Sequence, residues 1–210
     1  IAGLWAYVAS RPLPDFPPDD FLGTLLLYTF AHRLLTMMFL WMLVALAILD
    51  AENLWLPNLL TITGVAIGFI KSVADPFVLP GEYVHERFGL WTPALSQLAA
   101  ILGAGGLILL IRWTYWLIRR REGIGLGDAK LMAMLGAWLG LSGALLSFAI
   151  GILLGAVFAL LVLAMPAARR ESDTWLMSKL PLGTFLCVGG IISALWGQPI
   201  IAAYLRLVGL

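Results

Sequence analysis

The chain is a succession of long apolar runs separated by short polar connections. Windows scaled to a bilayer core of about 30 Å predict membrane-crossing stretches at 1–10, 21–31, 34–49, 58–74, 94–117, 131–146, 148–165 and 181–197. Ile1 to Ser10 is too short to cross alone and too poor in basic residues at its start for a signal peptide. The pattern predicts an all-α fold, a polytopic transmembrane helix bundle of about six to eight membrane helices. Residues 1–210 are read as one integral-membrane domain, with 1–33 supplying N-terminal spans and 34–197 the core. The proline-rich stretch Pro12 to Pro18 reads as a short rigid linker.

Composition agrees with the pattern. Hydrophobic residues make up 61% of the chain and charged residues 12%, and the mean hydropathy is +0.97. Soluble domains carry about 25% charge, so this balance excludes an ordinary globular protein and implies a lipid bilayer as its surroundings. The net charge of +1 is spread over loops and makes no basic patch interleaved with aromatics, so no nucleic-acid partner is expected. A single cysteine, Cys187, lies in an apolar run and reads as a packed thiol. His32 and His85 read as loop residues with no Cys or His at ligand spacing, so no metal and no cofactor is expected.

The basic residues orient the bundle. Arg11, Arg119, Arg120, Arg121, Lys130, Arg169, Arg170 and Lys179 fall on one side of the predicted spans, and only Arg33, Lys71 and Arg87 on the other. Short cytoplasmic loops carry the excess of Lys and Arg, so the first side is expected to face the cytoplasm. Trp55, Trp91, Trp113, Trp116 and Trp138 lie near span ends and read as interfacial anchors.

Two acids fall on that cytoplasmic side, and they carry the candidate chemistry. Asp128 lies in the glycine-dense run Gly123-Ile124-Gly125-Leu126-Gly127-Asp128-Ala129-Lys130 between two apolar stretches, and Asp50 ends another. An ionisable group in such a place is read first as functional, with a partner to be found. Their settings differ. Asp50 is expected at a helix C-terminus beside an apolar interior, which disfavours an anion, and Asp128 as an N-cap before a helix starting near Ala129, which favours one. Two carboxylates so distinguished can share a proton, one acting on a water and the other on a carbonyl oxygen. Gly125 and Gly127 would let a substrate strand come close and would permit positive φ. Taken singly, Asp128 could be a simple cap, Asp50 the first solvated residue after a span, and Lys130 a snorkelling lysine.

The stretch from Gly125 to Gly140, with Gly125-Leu126-Gly127-Asp128-Ala129-Lys130 at its head, resembles the G-x-G-D-x-K-L-x-A-x-L-G-A-W-L-G signature of the type IV prepilin peptidases, the GxGD membrane aspartyl proteases. Asp50 followed by Leu56-Pro57-Asn58-Leu59-Leu60-Thr61 is similar to the family's second signature, and Pro57 suits the first turn of the next helix. Pro181-Leu182-Gly183-Thr184-Phe185-Leu186 resembles a P-F-G-P-F-L element, with Leu182 and Thr184 departing from it. The resemblance runs from about residue 34 to 197. Presenilin and signal peptide peptidase share G-x-G-D, but theirs comes with a Tyr-Asp pair and a P-A-L element; here Leu49 precedes Asp50 and Pro181 begins Pro-Leu-Gly.

The resemblance implies a bacterial inner-membrane endopeptidase that removes the basic leader from prepilins or pseudopilins at the cytoplasmic face. It implies Asp50 and Asp128 as the catalytic pair, with Gly125, Gly127, Lys130, Pro57 and Asn58 beside them toward the substrate. Many members also methylate the new N-terminus, with an S-adenosylmethionine-dependent activity tied to a cytoplasmic domain bearing two C-x-x-C pairs. This sequence has no such cysteines, and between Arg11 and Phe21 it holds only the short proline-rich loop, which leaves the methyltransferase activity without its usual seat. The competing readings are a carrier with a carboxylate proton or cation site, and an inactive scaffold in pilus assembly.

Overall fold

A computed structural model of the protein describes residues 22–53, 55–78, 91–120, 125–164 and 182–209. The readings made for 1–10, the proline-rich linker, Gly123, His85 and most of the basic loop residues lie outside these. The described residues form five helices: α1 (Leu22–Asn53), α2 (Asn58–Val78), α3 (Trp91–Arg119), α4 (Leu126–Ala164) and α5 (Leu182–Val208). The protein is an integral membrane protein: α1, α3, α4 and α5 are long and apolar enough to cross a bilayer, while the apolar part of α2, Asn58–Ala74, is shorter.

The expected six to eight membrane helices are not found among the described residues, and the reason is local. Hydropathy breaks a run where polar residues intervene, whereas a helix breaks only where its backbone does. His32 and Arg33, expected to separate two spans, stay inside α1, where the His32 carbonyl also accepts from Thr36 Oγ1 at 2.8 Å. Ser147, expected between two further spans, stays inside α4 because its hydroxyl donates to the Gly143 carbonyl one turn back at 2.7 Å. The division comes instead at Gly140, whose φ of 70° and ψ of 178° are not helical, so that α4 is two helices joined across a kink at that residue.

That interruption takes backbone carbonyls out of the helical ladder inside a water-poor bundle, where each unsatisfied group costs several kcal/mol. Side chains of neighbouring helices meet them. Gln97 of α3, buried, donates from Nε2 to the carbonyls of Gly136 and Ala137, within the turn before the break; beyond it, Ser193 of α5 adds a bond to the Gly143 carbonyl at 2.9 Å. α4 is the central helix, packed most extensively on α5 and α3, with α2 also against it and α1 against α5. Small residues make the close approach possible: a methyl group on Gly136 would lie 2.6 Å from the Ala100 carbonyl oxygen of α3.

The core between these helices is apolar, built on Phe39, Leu43, Leu46, Leu131, Met132, Leu135, Leu186 and the free, buried Cys187. Trp138 belongs to this packing and not to the interfacial anchors expected from its position. Its ring stacks on Phe39 at 4.7 Å between centroids, and its Nε1–H donates to the Gly64 carbonyl at 2.8 Å. Trp55, Trp113 and Trp116 are exposed, as anchors would be.

Candidate active site

Three chain segments that are remote in sequence meet at one end of the bundle: the C-terminal turn of α1, the N-terminus of α4 and the N-terminus of α5. They bring together Asp50, Asp128 and Thr184. The N-terminus of α2, with Pro57 and Asn58, joins the same cluster through Leu56 and Lys130.

Asp50 is buried, three residues before α1 ends. Its sequence position predicted an anion left at the negative pole of its own helix. In the structure another helix supplies the missing partner. The first amides of α5 have no acceptor within their helix, and the Thr184 N–H donates to Asp50 Oδ2 at 2.6 Å. The Thr184 hydroxyl lies 3.0 Å from the same oxygen and 3.2 Å from the Ala47 carbonyl, both within reach of its proton. Asp50 therefore caps α5 from outside, at the helix's positive pole. Gly183 permits the approach, since a Cβ there would sit 2.8 Å from Asp50 Oδ2.

Asp128 is likewise buried, at 9% exposure. It does not precede its helix as an N-cap. α4 begins at Leu126, and Asp128 lies inside the first turn, its carboxylate reaching back to the Gly125 backbone amide. This is the N3 half of a capping box, with Gly125 at the N-cap. Asp50 and Asp128 lie near enough for each carboxylate to feel the other, and Cys187 lies one helical turn beyond Gly183.

The two glycines serve different purposes from those the turn suggested. Neither Gly125 nor Gly127 has positive φ, so left-handed backbone is not what requires them. At Gly127 the close neighbour is Leu56: a Cβ there would lie 3.1 Å from Leu56 Cδ1 and 3.2 Å from its Cβ, tight enough that the leucine would have to shift. Gly125 leaves an open surface, its nearest side-chain neighbour being Asp128 Oδ2 at 3.5 Å from a notional Cβ. Pro57 stands directly before α2, where its carbonyl accepts from the Thr61 amide at 3.2 Å. Asn58 and Lys130 satisfy one another, Nζ donating to Oδ1 at 2.6 Å.

All seven residues singled out in the sequence thus lie at this end. Thr184, Gly183 and Leu56 were missed as contributors. Thr184 stood out only as a departure from the element around Pro181, and nothing in the sequence ties it to a residue 134 positions away. A cavity of about 380 Å3, lined by His32, Thr36, Lys71, Ser193 and Gln198 among others, opens toward the opposite end of α1 and contains neither aspartate. Among the described residues no cluster of three or more His, Cys, Asp or Glu could hold a metal ion.

The model of the type IV leader peptidase family matches residues 37–160. The chain is 28% identical over 169 residues to a prepilin leader peptidase/N-methyltransferase of Pseudomonas putida, covering 80% of this chain and 52% of the relative. It is 34% identical over 173 residues to the protein of that name in Xanthomonas campestris pv. campestris, covering 80% and 52%. Against the one in Pseudomonas aeruginosa it is 30% identical over 169 residues, covering 80% and 51%. The chain spans about half the length of these curated relatives. No solved structure matches it. The matched span contains Asp50, the Pro57-Asn58 turn and the whole glycine-rich stretch through Gly140, and on this ground the chain belongs to the type IV leader peptidase family.

Proposed function

We propose that the protein is a membrane aspartyl endopeptidase that cuts the leader from type IV prepilins or pseudopilins, with Asp50 and Asp128 as its catalytic pair. The observation that carries this reading is the meeting of two buried carboxylates, one from each signature, at one end of an apolar bundle. Relatives named prepilin leader peptidases support the substrate class. The excess of basic residues on this side supports a cytoplasmic-facing site in a bacterial inner membrane. The reading covers the peptidase step in a single membrane domain and does not extend to methyl transfer.

Two carboxylates sharing one proton can hydrolyse a peptide without a covalent intermediate. The ionised carboxylate takes a proton from water as the water oxygen bonds to the scissile carbonyl carbon. The protonated one gives its proton to the carbonyl oxygen, producing a tetrahedral diol. On collapse the C–N bond breaks, the proton first taken from water passes to the leaving amine, and one diol hydroxyl returns its proton to the carboxylate that had given one, which restores the pair. A helical substrate hides its carbonyl in an i→i−4 hydrogen bond, so the apolar segment entering from lipid must unwind at the cut. The open face at Gly125, beside Asp128, is where such a strand would lie.

The carrier reading is not favoured. Carrier sites sit at broken helices near mid-bilayer, whereas both acids here lie at helix ends and the broken point, Gly140, has no acid beside it in sequence. The test is direct: incubate the purified protein in lipid or detergent with candidate prepilins, and read the products by mass spectrometry. A single cut between the basic leader and the apolar helix is expected; intact prepilin would overturn the proposal.

A further inference from the structure

Asp50 is held at one oxygen only. The amide and hydroxyl of Thr184 both point to Oδ2, and Oδ1 accepts no hydrogen bond among the described residues. An amide can only donate, so Oδ2 is fixed as an acceptor whatever the hydroxyl does. Bonds from N–H and O–H groups to an ionised carboxylate are stronger than those between neutral groups, and they favour the ionised form. The single hydroxyl proton can go to Oδ2 at 3.0 Å or to the Ala47 carbonyl at 3.2 Å, and the shorter contact is the one to the carboxylate. Thr184 is half-buried in the first turn of α5, between buried Gly183 and a half-buried Phe185, so its position is set by helix packing.

In the element that the segment around Pro181 resembles, proline stands where Thr184 stands, and proline has neither an N–H nor a hydroxyl to give. Asp128 has a different arrangement: its carboxylate is met by the Gly125 amide of its own capping turn, with no hydroxyl donor among the described residues. The two acids are therefore not equivalent, which a proton-sharing pair requires if each is to have a settled role.

We propose that Thr184 is a positioning residue of the pair: by holding Asp50 through Oδ2 it keeps Asp50 as the carboxylate that meets water through Oδ1, and leaves Asp128 to carry the shared proton. The inference rests on the peptidase reading and adds to it a division of labour. Thr184 touches no substrate atom in this account, so its removal should affect turnover and leave substrate binding alone.

Thr184→Val keeps the branched shape and the amide and removes only the hydroxyl; Thr184→Ser keeps both donors. Steady-state cleavage of a synthetic prepilin segment, comprising a basic leader and the start of its apolar helix, is measured with the full chain in detergent. Thermal unfolding is followed alongside. Val at 184 is expected to lower kcat about tenfold, the size of one lost hydrogen bond to a charged group, with KM unchanged. Serine is expected to retain the parent kcat. Parent-like kcat in the Val variant, an equal loss in the Ser variant, or a rise in KM with kcat intact would each overturn the positioning role. The peptidase reading fails separately, if the parent does not cut the segment at all or if Asp50→Asn cuts it as fast as the parent.

Discussion

Lys130 Nζ of α4 donates to Asn58 Oδ1 of α2 across 2.6 Å, joining the starts of two helices that are 72 residues apart in sequence. The bond ties the turn that follows Asp50 to the turn that presents Asp128. Neither residue touches the carboxylates, yet both turns must hold their relative place for the two acids to act together.

If this tie is what the two polar residues provide, Lys130→Met and Asn58→Ala should weaken the same thing. Each is expected to lower kcat/KM, and the double variant should lose no more than the worse single one. The coupling expected for residues in direct contact is about 0.5–3 kcal/mol. A double-mutant cycle on cleavage rate and on thermal unfolding measures it; simply additive losses would show that the two act apart.

At Gly127 the limit is space. Gly127→Val places a branched side chain where Leu56 already lies at 3.1–3.2 Å, at an overpacking cost of about 1–3 kcal/mol, and should displace the first turn of α4 with Asp128 on it. A collapse of kcat is expected with both carboxylates intact. Leu56→Ala in the same chain should restore part of it, and Gly125→Ala, which has room, should be milder than Gly127→Val. Parent-like cleavage by Gly127→Val would contradict the packing of this turn.

Gln97 has a structural role with a measurable effect. Gln97→Leu leaves the carbonyls of Gly136 and Ala137 without the Nε2 donor at the break in α4, at a cost of about 1–3 kcal/mol for a buried polar group left unpaired. Reversible unfolding in mixed detergent micelles should show that loss. Unchanged stability would mean that the broken turn meets its own needs.

The sequence made the end of the bundle legible and its interior much less so. Asp50, Asp128 and the residues around them could be read because their chemistry is out of place in an apolar chain, and because each occurs in a compact local pattern. The number of helices could not be read by the same means. His32, Arg33 and Ser147 lower local hydropathy without breaking the backbone, while the true break, at Gly140, is one glycine among several in an apolar run. Trp138 looked like an anchor because it lies near a predicted span end, but its ring packs on Phe39, a contact that depends on how α1 meets α4. Thr184 was invisible for the same reason: its effect on Asp50 exists only once α5 has docked against α1.

The account depends most on the claim that Asp50 and Asp128 work as one unit. Cleavage of a prepilin segment by the parent, Asp50→Asn, Asp128→Asn and the double variant tests it, each protein first shown to be inserted and folded. Each single substitution is expected to lower kcat by about 10²–10⁴-fold or more, and the double variant should be little worse than either, because half of a proton-sharing pair has nothing to share with. Appreciable turnover by either single variant, or losses that multiply in the double, would contradict it.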